Sequence, residues 1–362
     1  MIVNQIKNRF VKLDNKFCGD FRQTFIVLEA GPTFSNFDEA MRMVIASKKS
    51  GADAIKFQIF DPDELVSDKK QLFEYEILIS KSKNTTKKIS EPLFDILSRR
   101  CLTKKQWTEI KNLCDKIGLS FFSTVGSEYD LRFLEKIGCA SYKIASADVN
   151  YHHLIKKVSA TNAVIQLDTG RASISEIEKS INLINENTDK YIIHHCPSGY
   201  PAKYESINLN IINTLRMSFE CPIAFSDHSP DIDIDIAAIT MGSNMIEKTI
   251  TFNRLTPSVE HIFSIEINDI SNFIKRIRNV EKSIGKYNKK IGKEENQSIN
   301  KVRRSAFAKK NIDKSTTLNY SNIIFRRPGN GIDPELFDKI SNKFKSNRKI
   351  RKGEMLRLID LT

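Results

Sequence analysis

The sequence predicts an α/β chain folded as a (β/α)8 barrel followed by a small second domain, and three observations carry that expectation. Eight short apolar runs rich in strand-forming residues recur along the chain: 25–30, 54–60, 119–124, 141–146, 163–169, 191–196, 222–227 and 244–250. Between them lie segments with apolar residues three and four apart, such as Leu131, Leu134 and Ile137, the spacing of an amphipathic helix. The 362 residues hold one barrel of common size and a small second domain. Repeated right-handed strand-helix-strand units also build open doubly wound sheets; eight units favour closure.

Taken in order, residues 1–24 read as a polar extension to which no function is assigned. The first strand ends at Glu29-Ala30-Gly31-Pro32, placing a carboxylate at the face where barrel enzymes keep their chemistry. The second carries Lys56 and Gln58, which share a face because strand side chains alternate. The connection from Asp61 to Arg100 is long for a βα loop and is expected to form a lid with a helical patch near Leu72 to Ile79; its charged part, Lys81 to Lys88, reads as solvated surface. The third strand delivers Ser123 and Thr124.

The fourth strand, Ser141-Tyr142-Lys143-Ile144-Ala145-Ser146, places a lysine inside a core strand and a hydroxyl at its end. A lysine is rarely buried unpaired, so Lys143 meets a ligand phosphate, meets a structural carboxylate, or snorkels outward. Asp168-Thr169-Gly170 after the fifth strand suits a phosphate cradle or ordinary turn and cap chemistry equally. Of His194 and His195, neighbours on the sixth strand, only one faces inward. The seventh strand ends Ser226-Asp227-His228-Ser229, and its imidazole, a second one from the sixth strand and Glu29 could make a metal or acid-base cluster. Residues 286–304 read as a charged linker able to reach about 60 Å if fully extended, and 305–362 as the second domain.

Composition narrows the function classes. The formal net charge is +13, yet the Lys and Arg residues are spread along the chain without a nucleic-acid motif, so no nucleic-acid partner is expected. No apolar segment approaches the length of a membrane span and the N-terminus is too polar for a signal peptide, so a cytoplasmic protein with reduced cysteines is expected.

Seven motifs in order carry a resemblance over roughly residues 25–362: Glu29-x-Gly31, Gly51-Ala52-Asp53-Ala54-Ile55-Lys56-Phe57-Gln58, Ser123-Thr124, Tyr142 to Ser146, Thr169-Gly170, His195-Cys196-x-x-x-Tyr200-Pro201 and Ser226 to Ser229. The chain resembles the sialic acid synthase family, N-acetylneuraminate synthase and its legionaminate and pseudaminate relatives. Its C-terminal segment resembles the antifreeze-like SAF domain of those enzymes through Arg303-Arg304-Ser305, Arg326 to Ile332 and Ile350 to Glu354. The resemblance implies condensation of phosphoenolpyruvate with an N-acyl mannosamine-type sugar, giving phosphate and a nine-carbon 2-keto sugar acid. It implies that Lys56, Gln58, Thr124, Lys143, Ser146 and Ser226 hold phosphoenolpyruvate, and that Glu29 binds the sugar and handles protons. It also implies that Tyr200, Glu260 and Arg327 contact the sugar and that His228 holds a divalent ion, Mn2+ or Mg2+. The assembly it implies is a domain-swapped homodimer.

The chain departs from the family pattern at four places. Thr33-Phe34 replaces Asn-His, Asp168 replaces a serine, Glu260 replaces an aspartate and Thr249 replaces the second metal histidine. Two other readings stand beside an active synthase: a sugar- or phosphosugar-binding protein that has lost turnover, and a different aldolase-like barrel enzyme.

Overall fold

The computed structural model describes residues 9–285 and 288–362, which fall in two compact units, Met1–Gly285 and Lys286–Thr362. The first unit opens with an antiparallel hairpin, β1 (Phe10–Leu13) and β2 (Lys16–Gly19). Then come β3 (Phe25–Glu29), β4 (Ala54–Gln58), an inserted antiparallel pair β5 (Leu72–Ser80) and β6 (Thr85–Pro92), and β7 (Ser120–Thr124). The series ends with β8 (Ser141–Ile144), β9 (Val164–Asp168), β10 (Tyr191–His195), β11 (Ile223–Asp227) and β12 (Met245–Thr251). The eight strands β3, β4 and β7 to β12 are parallel, and β12 pairs with both β11 and β3. That double pairing closes the barrel and rules out the open sheet.

Helices follow the strands with local chemistry that sets their ends. Asn36 caps the Phe37–Ser50 helix by accepting the Glu39 N–H, and Gly51 ends it at φ 90°, which favours glycine. Reciprocal capping boxes start Lys104–Ile117 (Thr103 with Gln106) and Ile174–Asn185 (Ser173 with Glu176). Their apolar faces pack on the outward residues of the strands, such as Ile55, Phe57, Phe121 and Ile165, in one continuous core.

Residues 9–24 are more than an extension; residues 1–8 of that expected extension lie outside the described residues. Along β1 the alternation is strict: Val11 and Leu13 are buried while Phe10 and Lys12 are exposed. Val11, Leu13 and Cys18 pack against Phe25, Val27, Ala54, Phe122, Val164, Ile192, Ala224 and Met245, the lowest inward-facing layer of the barrel. The hairpin therefore plugs the N-terminal mouth. Lys16 anchors it to Asp53 at 2.5 Å, and Asp20 accepts from Arg216 at 2.9 Å. Two or three apolar residues at alternate positions were too few to register as a strand signal in a polar stretch.

Two other expectations are corrected. The segment near Leu72 to Ile79 is a strand, because Phe73, Tyr75 and Ile77 alternate onto one face and pack with Ile89, Ile96 and Val259. The span 286–304 is not a fully extended linker, since Lys293–Val302 is helical. The second unit has its own core, with Ala306, Ile312, Leu318, Phe337 and Ile350 among its buried residues, and a short antiparallel pair, Ser305–Ala308 with Ile323–Arg326.

Leu13 is fully buried in the plug. Leu13→Ala is expected to lower the unfolding free energy by about 2–5 kcal/mol; equilibrium urea unfolding checks this, and a loss below about 0.5 kcal/mol would mean that the hairpin does not seal the barrel.

Candidate active site

Above the apolar layer the barrel interior turns polar, and the reason is side-chain parity. Alternate residues of each strand point inward, so Glu29, Lys56, Lys143, Gln166, His194, Ser226 and Glu247 converge from seven strands, all buried. Glu247 is the hub. Its Oε1 accepts from Lys143 Nζ at 2.6 Å and from Lys56 Nζ at 2.7 Å. Lys56 also pairs with Glu29 Oε2 at 2.6 Å, its neighbour in the β3–β4 register, and Lys143 pairs with Asp168 at 3.0 Å. Lys143 donates to Ser226 Oγ at 2.9 Å.

Behind Lys143 runs a chain of neutral polar groups. Ser226 Oγ meets His194 Nδ1 at 2.9 Å, His194 Nε2 meets Gln166 Oε1 at 2.9 Å, and Gln166 Nε2 donates to Ser141 Oγ at 2.8 Å. Burial, reinforced by the Lys143 charge, holds the His194 pKa well below its usual value, so the ring stays neutral. The amide oxygen of Gln166 then accepts the hydrogen bond of the Nε2–H group, leaving Nδ1 to accept from Ser226. Burial alone opposes the charge on Lys143, but Asp168 and Glu247 outweigh it and hold the ammonium above the ordinary lysine range. For Lys56 burial wins, with Lys143 adding repulsion, and the pKa falls. Burial also works against the Glu247 carboxylate; Lys143 and Lys56 overcome it and hold its pKa below the usual 4.5.

A cavity of about 400 Å³ opens over this floor at the C-terminal ends of the strands. Of the residues expected to bind substrates, Glu29, Lys56, Gln58, Thr124, Ser146, Tyr200, His228 and Glu260 line it, as do Asp168, Glu247 and Thr249. Lys143 and Ser226 lie just beneath, each 1% exposed. Arg327 belongs to the second unit and is exposed, and all residues lining the cavity belong to the first. Ser123 is turned away, buried with its hydroxyl on the Thr124 carbonyl. Thr169 proves to be turn chemistry, its hydroxyl donating to the His194 carbonyl at 2.7 Å. His195 faces outward onto the Ile207 carbonyl. Gly31 is required by close approach: its N–H donates to Glu29 Oε1 at 2.6 Å, and a Cβ there would sit 2.5 Å from that oxygen.

The long insertion contributes Leu65 and Leu97 to the cavity wall. Leu78 of β5 packs with Ile262, Phe263 and Tyr200, tying the inserted hairpin to the tyrosine at the rim. Glu260 holds a left-handed backbone at φ 67°, and burial of its carboxyl raises its pKa despite the nearby charge of His228 and Arg100. Lys248, facing outward from β12, pairs with buried Asp227 and, at 3.2 Å, with Asp235, and donates to the Ser229 carbonyl at 2.7 Å. Asp227 in turn accepts the Ser229 N–H at 2.8 Å. This cluster fixes the turn that carries His228.

The model of the NeuB family matches residues 43–289. The chain belongs to the NeuB family. An uncharacterized protein of Methanocaldococcus jannaschii is 33% identical over 94% of this chain and 95% of its own length. The N,N'-diacetyllegionaminic acid synthase of Campylobacter jejuni is 28% identical over 93% of this chain and 99% of its own. Among solved structures, the N-acetylneuraminic acid synthetase of Leptospira borgpetersenii superposes with a TM-score of 0.70 at 26% identity, covering 81% of this chain and 95% of that one. The NeuB-family chain is thus an enzyme of the synthase type.

The metal expected at His228 does not fit this NeuB site. The His228 Nδ1 faces the Pro197 carbonyl at 3.1 Å and its ring packs against Tyr200 and Phe263. Thr249 offers no imidazole, and among the described residues no group of three or more His, Cys, Asp or Glu is arranged to hold an ion.

Because the folded Glu247 binds its proton less readily than an unfolded glutamate, its stabilising contribution is present above pH 4.5 and is lost as pH falls through the lower folded value. Glu247→Gln is expected to destabilise the chain at pH 7 by about 3–5 kcal/mol, the cost of stranding buried charge. The gap to wild type should narrow below pH 4.5 in urea unfolding series; a gap that does not change with pH contradicts the pairing.

Proposed function

We propose that this NeuB-family enzyme condenses phosphoenolpyruvate with the open-chain aldehyde of an N-acylated mannosamine-type sugar, releasing phosphate and a nine-carbon 2-keto sugar acid. The observation that carries the reading is the pair of buried ammonium groups on one carboxylate oxygen, Lys56 and Lys143 on Glu247, with Ser226 beside them at the barrel's catalytic end. Two lysines at one point form a site for a multiply charged anion, and the enol phosphate supplies one. Thr124, Ser146 and Gln58 at the rim add neutral donors for its phosphate and carboxylate.

With the donor so held, C3 of phosphoenolpyruvate attacks the aldehyde carbon, the aldehyde oxygen takes a proton, and water adds to C2. Breaking the C2–O bond then releases phosphate and leaves the keto group. Glu29, with one oxygen on Lys56 and the other on the Gly31 N–H, is placed to bind the sugar and carry protons between the hydroxyl being formed and the water. Tyr200 and Glu260 border the outer part of the cavity, where the sugar would lie. The proposal includes the homodimer in which the C-terminal unit of one protomer, an SAF-type domain, brings Arg327 to the sugar in the other barrel.

A second reading has an observation of its own. Asp168 lies 3.0 Å from Lys143, adding a carboxylate where the donor phosphate would sit. Such a site suits a protein that binds a sugar without turning over phosphoenolpyruvate.

Phosphate release in the presence of phosphoenolpyruvate and N-acyl mannosamines separates the two. The synthase reading predicts release in wild type, and Lys143→Met is expected to weaken phosphoenolpyruvate binding by about 30-fold to several thousand-fold, the equivalent of 2–5 kcal/mol. Sugar binding without phosphate release supports the binding protein; near-normal phosphoenolpyruvate affinity in a folded Lys143→Met variant overturns the donor-site assignment.

A further inference from the structure

A second concavity, of about 540 Å³, lies on the outside of the barrel between the Lys104–Ile117 and Glu128–Lys136 helices, which flank β7 in sequence. Its size suits a small molecule, and its lining shares no residue with the active cavity. Four cations border it, Lys104 and Lys105 from the first helix and Arg132 and Lys136 from the second, and none of its lining residues is a carboxylate. In the active cavity Lys56 meets both Glu29 and Glu247. The outer groove leaves its charges nearly unanswered. Arg132 comes no nearer than 3.9 Å to Glu128, which is held by His153 at 2.7 Å, and Lys104, Lys105 and Lys136 form no ion pair among the described residues.

Scattered surface lysines are simply solvated, but these are gathered and one of them is fixed. Lys104 Nζ sits 3.9 Å from the Tyr129 ring centroid and 5.4 Å from that of Phe133, and it donates to the Tyr129 hydroxyl at 2.6 Å. An ammonium carries three donors, so two remain, and Tyr129, accepting from the lysine, keeps its own proton to donate. Gathering the cations has a cost. Arg132 and Lys136 stand four apart on one helix, a repulsive spacing for like charges, and Lys104 and Lys105 open theirs with no acidic residue in the first turn. A bound polyanion relieves these repulsions together. Tyr129 is 46% exposed and Phe133 also lines the groove, so an aromatic surface lies beside the charges. An inorganic anion would leave that surface bare, whereas a phosphate carried on a planar base uses both.

We propose that this groove is a second binding site, separate from the active cavity, that takes a nucleoside phosphate, with the phosphate among Lys104, Arg132 and Lys136 and the base against Tyr129. A concavity of this size holds one small ligand, whereas a nucleic-acid strand needs a basic track several nucleotides long. The mononucleotide is therefore the occupant. The site stands independently of the synthase reaction, because no residue of the donor or sugar site takes part in it.

Calorimetric titration of the full chain tests this, with AMP, CMP, GMP, UMP, their nucleosides and inorganic phosphate as probes. At least one nucleoside monophosphate is expected to bind about tenfold or more tightly than both its nucleoside and inorganic phosphate. Replacing two cations together, Lys104→Gln with Arg132→Gln, should weaken that binding by about tenfold or more, and Tyr129→Leu should remove the advantage of the nucleotide over inorganic phosphate. All three side chains are exposed, so the variants should melt near wild type; if the double variant does not fold, Lys136→Gln carries the comparison. Lys143→Met, which damages the proposed donor site, should leave nucleotide affinity unchanged. Affinity lost in Lys143→Met and kept in the double variant would put the nucleotide in the active cavity and overturn the proposal. Equal affinity for inorganic phosphate overturns it too, by reducing the groove to an unselective patch of positive charge. So does the absence of nucleotide binding up to about 1 mM, whether or not single-stranded RNA binds.

Discussion

Two lysine ammonium groups share one oxygen of Glu247 inside the barrel, and much of the structure serves to hold them there. Isolated, each buried charge would be severely penalised; together with Glu29, Asp168 and Glu247 they form a network in which each charge answers another. The network needs three strands far apart in sequence, β4, β8 and β12, to present residues of the right parity at one height, which only a closed barrel does. It also needs a dry floor. The N-terminal hairpin provides that by burying Val11, Leu13 and Cys18 against the lowest inward layer.

The same network accounts for the state in which the site waits. Glu247 occupies the point between the lysines that a substrate anion would take, keeping both ammonium groups oriented while the cavity is open to solvent. On the proposed reading an incoming donor would compete with this internal carboxylate, and Asp168 would add to the competition. Preorganisation of this kind trades binding strength for geometry, since the ammonium groups have little left to rearrange. The outer rim is built differently. Tyr200, His228 and Phe263 pack ring to ring, and Leu78 from the inserted hairpin packs with Tyr200 and Phe263 of that stack, so the insertion is tied to the turn where the seventh strand ends.

Much of this was legible in the sequence, and the exceptions have physical causes. Every barrel strand announced itself as an apolar run, and the alternation rule alone placed Lys56, Gln58 and one of the two histidines inward. The rule also applied to Glu247, but its strand, Glu247-Lys248-Thr249, drew attention to Thr249 as a missing metal ligand and away from the inward carboxylate beside it. In Leu72-Phe73-Glu74-Tyr75-Glu76-Ile77-Leu78-Ile79 the apolar residues satisfy both a period of two and spacings of three and four; only packing on Ile96 and Val259 decides for the strand. The Lys293–Val302 helix has no buried residue, so it left no apolar periodicity to read.

The central claim is that the Lys56–Glu247–Lys143 network is the seat of the donor phosphate. A structure of the complex with phosphoenolpyruvate tests it most directly. The account predicts the phosphate in contact with both Nζ atoms, with the Lys143–Glu247 contact lengthened from its present 2.6 Å as the ammonium turns to the new anion. Phosphoenolpyruvate bound elsewhere in the cavity, with both lysines still closed on Glu247, would contradict it.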